Sequence, residues 1–493
     1  MKQFVDTKIL KNKDNIQAFV VNYVLMLVFW GSLIRKNFNS DTLGVIFSAD
    51  ADIMHNVEEG RYVKALLDFV LMKMGIRITD HLSIAIIVAF GLYALAMVLL
   101  QNCFKKWAPE DKLERVGFYA MISLVFLTPL FVENLMFAEC SIHFGLTYFL
   151  AQIGVCFWTK RKFFWSLLFI FLGVCTYQNA AIYASVVLVF IIMLDNEAKW
   201  SIKAVREELL AVIGCMGMGL LDFLLIRVLD RLGLVLWFMP DTGKIDYLHQ
   251  TKEVINDFSS FLKNCYGLLP SVYMQLLLLL GAFCVIIITF VQNKEYSKIL
   301  FCFVATAGSF MLVYVLAFIR DIFYFPGRMS FCLFLVLGLL VASLFVLGNV
   351  RFRKLLTIAS LGYLLVMCVF AGFIMTSKFM SNRTDKLCAE MLVYKIEEYE
   401  AESGIKVTKL AVCNDSYAPN YYEGVGYTAH QVNERTSTQA PRSLVNYTTG
   451  RYFEPTEMNE EIYNTYFAGR DWTVPDMSEQ LVIVGDTAYW CMY

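Results

Sequence analysis

The chain has 493 residues, 58% of them hydrophobic, and its 42 Lys and Arg nearly balance 43 Asp and Glu, for a formal net charge of −1. So large an apolar share excludes an ordinary soluble globule. The near-neutral charge, without a basic tail or stripe, excludes nucleic acid as a partner. Most cysteines lie inside apolar runs (Cys156, Cys175, Cys284, Cys302, Cys368), where Cys acts as a small hydrophobe. No zinc spacing appears, and the sequence leaves a Cys413–Cys491 bridge open.

Lys2, Lys8, Lys11 and Lys13 precede the first apolar run, and no small-residue cleavage site follows it. This start reads as an uncleaved signal anchor. A helix needs about 20 apolar residues to cross the hydrocarbon core. Runs of that order fall at residues 16–34, 82–100, 116–132, 136–158, 209–229, 268–292, 299–319, 329–348 and 355–375. The run 163–194 is too long for one crossing: as a single helix it would extend roughly 48 Å through a core of ~30 Å. Lys160, Arg161 and Lys162 precede it, and Lys199, Lys203 and Arg206 follow. Basic residues on both flanks predict a hairpin that enters and leaves on the cytoplasmic side. Its turn falls at the internal polar cluster Thr176-Tyr177-Gln178-Asn179.

The sequence therefore predicts an α-helical polytopic membrane protein of about eleven transmembrane helices, with its N-terminus inside. The membrane domain spans residues 1–375, with outer loops at 35–81 and 230–267. Residues 376–493 are expected to form a small extracytoplasmic C-terminal α/β domain, with a helix at 385–401 and strands at 407–412 and 480–484. Residues 57–70 have apolar positions at helical spacing and predict an amphipathic helix on the membrane, as do residues 254–262. No internal repeat of the transporter kind is present.

Acids and arginines cluster on the outer side. Asp41, Asp50 and Asp52 lie just past the first span, where a carboxylate suits a general base on a sugar hydroxyl. Asp50-Ala51-Asp52 is also a spacing that suits a divalent cation, Mg2+ or Mn2+, although nothing in the sequence requires a cofactor. Arg61, Arg320 and Arg328 are candidates for an anionic phosphate. Phe325-Pro326-Gly327-Arg328 opens a late span and puts Arg328 at headgroup level. Glu133 and Glu139 flank a short outer turn in apolar surroundings, which marks them as functional candidates. Tyr177 and Gln178 would line a cavity at the hairpin turn. His55, near the aspartates, is a candidate for acceptor binding. Walker, dinucleotide and nucleophile-elbow motifs are absent.

Asn39-Ser40-Asp41-Thr42-Leu43 followed by Gly60-Arg61-Tyr62, together with Cys175-Thr176-Tyr177-Gln178 and Phe325-Pro326-Gly327-Arg328, resembles the Gtr-type bacterial membrane glucosyltransferases that modify O-antigen and related surface polysaccharides. Tyr62 stands where that family usually has Trp. The resemblance implies a GT-C architecture in the bacterial cytoplasmic (inner) membrane, with a catalytic acid in the first outer loop. It implies transfer of a hexose, commonly glucose, from a polyprenyl-phosphate donor to a surface glycan acceptor, probing Asp41 first as base and Asp50 and Asp52 next. Transfer would be inverting, with Arg328 and Arg61 helping the phosphate leave. Two rivals are a surface-polysaccharide polymerase or ligase, which the short 320–328 loop disfavours, and a lipid-linked sugar flippase or transporter.

Overall fold

The computed structural model describes residues 13–35, 38–47, 49–235, 245–319, 323–414, 440–470 and 476–492. Helices of eight residues or more run in the order α1 (Lys13–Trp30), α2 (Ser40–Phe47), α3 (Ala49–Glu58), α4 (Tyr62–Lys73), α5 (Leu82–Phe104), α6 (Lys112–Ser123), α7 (Ser141–Thr159), α8 (Phe163–Val174), α9 (Ala180–Asp195), α10 (Ile202–Arg231), α11 (Tyr247–Asn264), α12 (Met274–Gln292), α13 (Tyr296–Val313), α14 (Cys332–Leu347), α15 (Val350–Ser403) and α16 (Pro441–Thr449). Among the described residues eight helices are long and apolar enough to cross a membrane, or nine if one bent pair counts as a span. The chain is a membrane protein.

The expected count of eleven includes α8 and α9, which have only 12 and 16 residues. Both fall short of the ~20 residues a full crossing takes. The chain does break at the expected polar cluster. Arg161, just before α8, pairs with Glu207 on α10 at 3.4 Å. Asp195, the last residue of α9, pairs with Lys106. Both outer ends of the pair therefore lie at one end of the bundle, with other charged loop contacts such as Arg353–Glu114 at 4.0 Å. The break at 175–179 lies at the opposite end, where the Cys175 carbonyl accepts from Val63 N at 2.9 Å.

Close packing of this pair depends on small residues, as in other membrane bundles. A Cβ on Gly154 of α7 would stand 2.6 Å from Ile170 Cγ1 and 2.8 Å from the Ser166 carbonyl of α8. Buried amides tie α1 to α5: Asn22 and Gln101 bond in both directions at 3.2 and 3.1 Å, and Gln101 donates to Ser123 Oγ at 2.8 Å. The run 116–132 is not one straight span. Lys112–Phe126 and Pro129–Met136 meet at 45°. The cause is local: Pro129 has no N–H to donate, and Thr128 before it is extended, at φ −117° and ψ 153°. The bend sits in an aromatic cluster, with Phe131 against Tyr93 (4.8 Å) and Tyr148 against Phe331 (5.3 Å).

The amphipathic stretch 57–70 is likewise divided. Gly60 turns the chain at φ +80° between α3 and α4. The 254–262 stretch lies inside α11. The last span continues without a break into the tail, because α15 runs 54 residues from a side-chain cap at Asn349 to Gly404 at φ +73°. At 1.5 Å per residue it is about 81 Å long, so the boundary expected at 375–376 falls in mid-helix. Its first part packs in the main core, which ends at Met375. From Cys388 it packs in a second core with Leu410, Leu444 and Trp490. That core is backed by a four-stranded sheet of order β2-β1-β4-β3: β1 (Lys409–Asn414), β2 (Glu454–Pro455), β3 (Leu481–Val484) and β4 (Thr487–Met492). Cys413 and Cys491 are register partners on the neighbouring strands β1 and β4.

Gly154→Val is expected to lower stability by about 1–3 kcal/mol, the usual cost of overpacking a tight contact. Thermal unfolding of the detergent-solubilised protein measures this, and Gly217→Val, where a Cβ meets nothing within 4 Å, serves as the control.

Candidate functional site

The segment between α1 and α5 folds into α2, α3 and α4 and is gripped from two sides. Leu43 of α2 is fully buried in the second core. Thr42, beside it, faces the membrane bundle. Its amide donates to Asn39 Oδ1 at 2.7 Å, the side-chain cap expected at a helix start. Its hydroxyl lies 2.8 Å from the same Asn39 oxygen and 2.6 Å from Glu139 Oε2. One hydroxyl proton cannot serve two acceptors. The arrangement closes if Glu139 is neutral and donates to Thr42. Burial pushes the Glu139 carboxyl up to about 7, in keeping with a proton held on it.

Asp41 sits in the first turn of α2 and reaches solvent. Partial burial raises its pKa, Arg328 and Arg61 oppose that rise, and Asp52 and Glu59 add to it. Asp41 thus stands within electrostatic reach of all four groups. Arg328 enters from far along the chain. Its amide donates to Glu133 Oε2 at 2.8 Å, and its Nη1 is 3.7 Å from the same oxygen. Its Nη2 donates to the Tyr324 hydroxyl at 2.5 Å, and the guanidinium lies 4.9 Å from the centre of the Phe137 ring. Gly327 permits this approach, because a Cβ there would lie 3.1 Å from Glu133 Cδ. The Thr128–Pro129 bend is what carries the fully buried Glu133 to this point.

Arg61 stands on the other side. It pairs with Glu59 at 2.5 Å and lies 5.5 Å from the Tyr177 ring centre. The Tyr177 hydroxyl is in electrostatic reach of both Arg328 and Arg61. Gln178 donates to the Glu59 carbonyl at 2.7 Å. A Cβ on Gly60 would stand 2.6 Å from Ile226 Cδ1 and 2.7 Å from Asp222 Oδ2, so only glycine fits the turn before Arg61.

The remaining expected residues divide. Asp52 is engaged: Lys64 Nζ is 3.2 Å away, and Asn56 donates to it at 3.0 Å. Its charge is thus met by an ammonium in the structure. The Asp50 side chain and all of Arg320 lie outside the described residues. Among the described residues no group of three or more His, Cys, Asp or Glu is placed to hold a metal ion. His55 has a 45% exposed side chain, 3.8 Å from Glu58 and 3.6 Å from Glu59.

Lys64 was not legible as a site residue. It is 4% exposed and bridges Asp52 to Asp68, which is 3.3 Å from it and 2.9 Å from His143. Burial alone would raise the Asp68 carboxyl, but His143 and Lys64 hold it below its ordinary value. The i, i+4 spacing of Lys64 and Asp68 was the available signal.

Below pH 4.5 Glu139 is neutral folded and unfolded, so its contribution to stability is fully present. It is lost as pH rises through about 7. Melting temperature against pH is therefore expected to fall less steeply across this window in Glu139→Gln than in the unaltered protein.

In comparison with known proteins, no curated protein and no solved structure matches the chain. A family model does: Glucosyl transferase GtrII matches residues 31–337, a stretch that holds Asp41, Arg61, Glu133, Glu139, Tyr177 and Arg328. The chain belongs to the GtrII glucosyl transferase family.

Proposed function

We propose that the protein is a GT-C glycosyltransferase that moves glucose from a polyprenyl-phosphate donor to a surface glycan, with inversion, on the extracytoplasmic face of a bacterial cytoplasmic membrane. The observation that carries this reading is that Asp41 and Arg328 lie within electrostatic reach of each other at one end of the bundle. A base and a guanidinium within reach of one another match the two needs of such a transfer. The orientation follows from charge. Lys105, Lys106, Arg161 and Lys199 gather at the opposite end, which the positive-inside rule assigns to the cytoplasm. The N-terminus is then inside and the unit built on β1–β4 outside.

In the reaction an acceptor hydroxyl oxygen attacks the anomeric carbon. The bond from that carbon to the phosphate oxygen breaks, and the hydroxyl proton passes to Asp41. The raised affinity of Asp41 for a proton brings it nearer the pH at which it must work. Negative charge grows on the departing phosphate, and Arg328 and Arg61 stand to stabilise it. Phosphate is a good leaving group, so no strong general acid is required. Tyr177, its ring centre 5.5 Å from the Arg61 guanidinium, and Phe137 give the sugar a partly apolar wall. Asp50 stays an alternative base on its place in the sequence. Asp52 serves as the counter-charge of Lys64.

Asp41→Asn is expected to cut transfer from radiolabelled polyprenyl-phosphate glucose in proteoliposomes by about 10²–10⁴-fold, the range for loss of a general base. Undiminished transfer would remove Asp41 from the mechanism. In the same assay Arg328→Lys keeps the charge but loses the fork that meets Tyr324 and Glu133, and a fall of about 10²-fold is expected.

A further inference from the structure

Between the site end of α1 and the long helix α15 lies a cavity of about 350 Å³. Its lower wall is apolar, with Val28, Phe29 and Met375, and its upper rim carries Arg35, Lys378 and Asn382. Both flanking helices are candidate membrane spans. Val28 is 60% exposed, so the apolar part opens on the surface that faces lipid. The space beside Gly372, which lines the groove, is open, since a Cβ there would meet nothing within 4 Å.

Two cations guard this groove from opposite helices. The Arg35 guanidinium lies 5.7 Å from the centre of the Phe379 ring, reaching from the end of α1 across to α15. Lys378 is only 1% exposed, on a turn of α15 just past the apolar run. A charged side chain at that depth is costly in a membrane protein and marks a functional place. An anionic headgroup with an apolar tail fits both parts of the groove at once.

The rim leads to the catalytic helix. Asn382 bonds the Phe38 backbone in both directions, accepting from its N–H at 2.8 Å and donating to its carbonyl at 2.9 Å. The next residue, Asn39, caps α2 beside Asp41. The geometry points to this groove as the seat of the isoprenoid chain and phosphate of the lipid-borne donor, with Arg35 and Lys378 as phosphate-binding residues. The assignment rests on the polyprenyl-phosphate reading above. Arg328 would act on the phosphate as it leaves, whereas Arg35 and Lys378 would hold the lipid as it docks.

The test uses the full chain in phosphatidylcholine nanodiscs, with polyprenyl monophosphate without sugar as the probe, its binding followed by native mass spectrometry. The Arg35→Gln, Lys378→Met double variant is expected to weaken binding by about tenfold or more and to raise the donor KM in parallel, with kcat within about twofold. Gly372→Phe, which fills the groove and leaves both cations, is expected to do the same, and keeps the test decisive should the double variant fold poorly. Unchanged affinity in a folded variant overturns the assignment. Displacement of the probe by equimolar phosphatidylglycerol overturns it too, since the groove would then hold ambient lipid. Asp41→Asn separates the two readings: it should bind the probe normally yet fail to transfer. Full transfer by Asp41→Asn sinks the catalytic proposal, whatever the groove binds.

Discussion

The contact on which the site depends is the one between the Thr42 hydroxyl and the buried Glu139 carboxyl, 2.6 Å apart. It joins a short helix outside the bundle to the turn between two spans. Leu43, the next residue, is buried in the separate core that α15 shares with the sheet. Helix α2 is thus a wedge between two packed bodies, held by a polar grip on one side and apolar burial on the other. A carboxyl fully removed from water is tolerated when it is neutral and hydrogen-bonded. Loosening either side would free Asp41, because α2 is only eight residues long and too short to hold its shape alone.

Around that wedge the charges divide into a fixed frame and an open place. Asp52, Lys64, Asp68 and His143 form a chain of contacts of 3.2, 3.3 and 2.9 Å. Removing one partner of such a buried set leaves the others uncompensated, which is costly. The frame spans α3, α4 and α7, so it sets the tilt of the loop on the bundle. Arg328 is framed in the same manner by Glu133, Tyr324 and Phe137. Asp41 differs in reaching solvent.

The spans were legible because bilayer thickness imposes a length and an apolar composition that any reader of the sequence can count. The break at 175–179 was legible from basic residues on both flanks of one run. Asp41, Arg61, Tyr177 and Arg328 could be singled out because each borders an apolar run on the side the sequence assigns to the outside, and the fold brings them within electrostatic reach of one another. Lys64 was missed because its i, i+4 pairing with Asp68 gains weight only when folding adds Asp52 and the His143 contact to Asp68. The role of Glu139 was hidden for the same reason, since Thr42 lies 97 positions away. The bend at Thr128-Pro129 was passed over because apolar residues continue through it. The reach of α15 was hidden where its apolar face changes from one core to another while the backbone stays helical.

That unbroken rod has a mechanical consequence. With about 40 Å of α15 beyond Met375, a 5° change in its lean would carry the far end roughly 3.5 Å sideways. Leu392 and Ile396 lie on that arm, in the same core as Leu43. A change in the lean of the membrane span would thereby be felt at α2, the helix that carries Asp41.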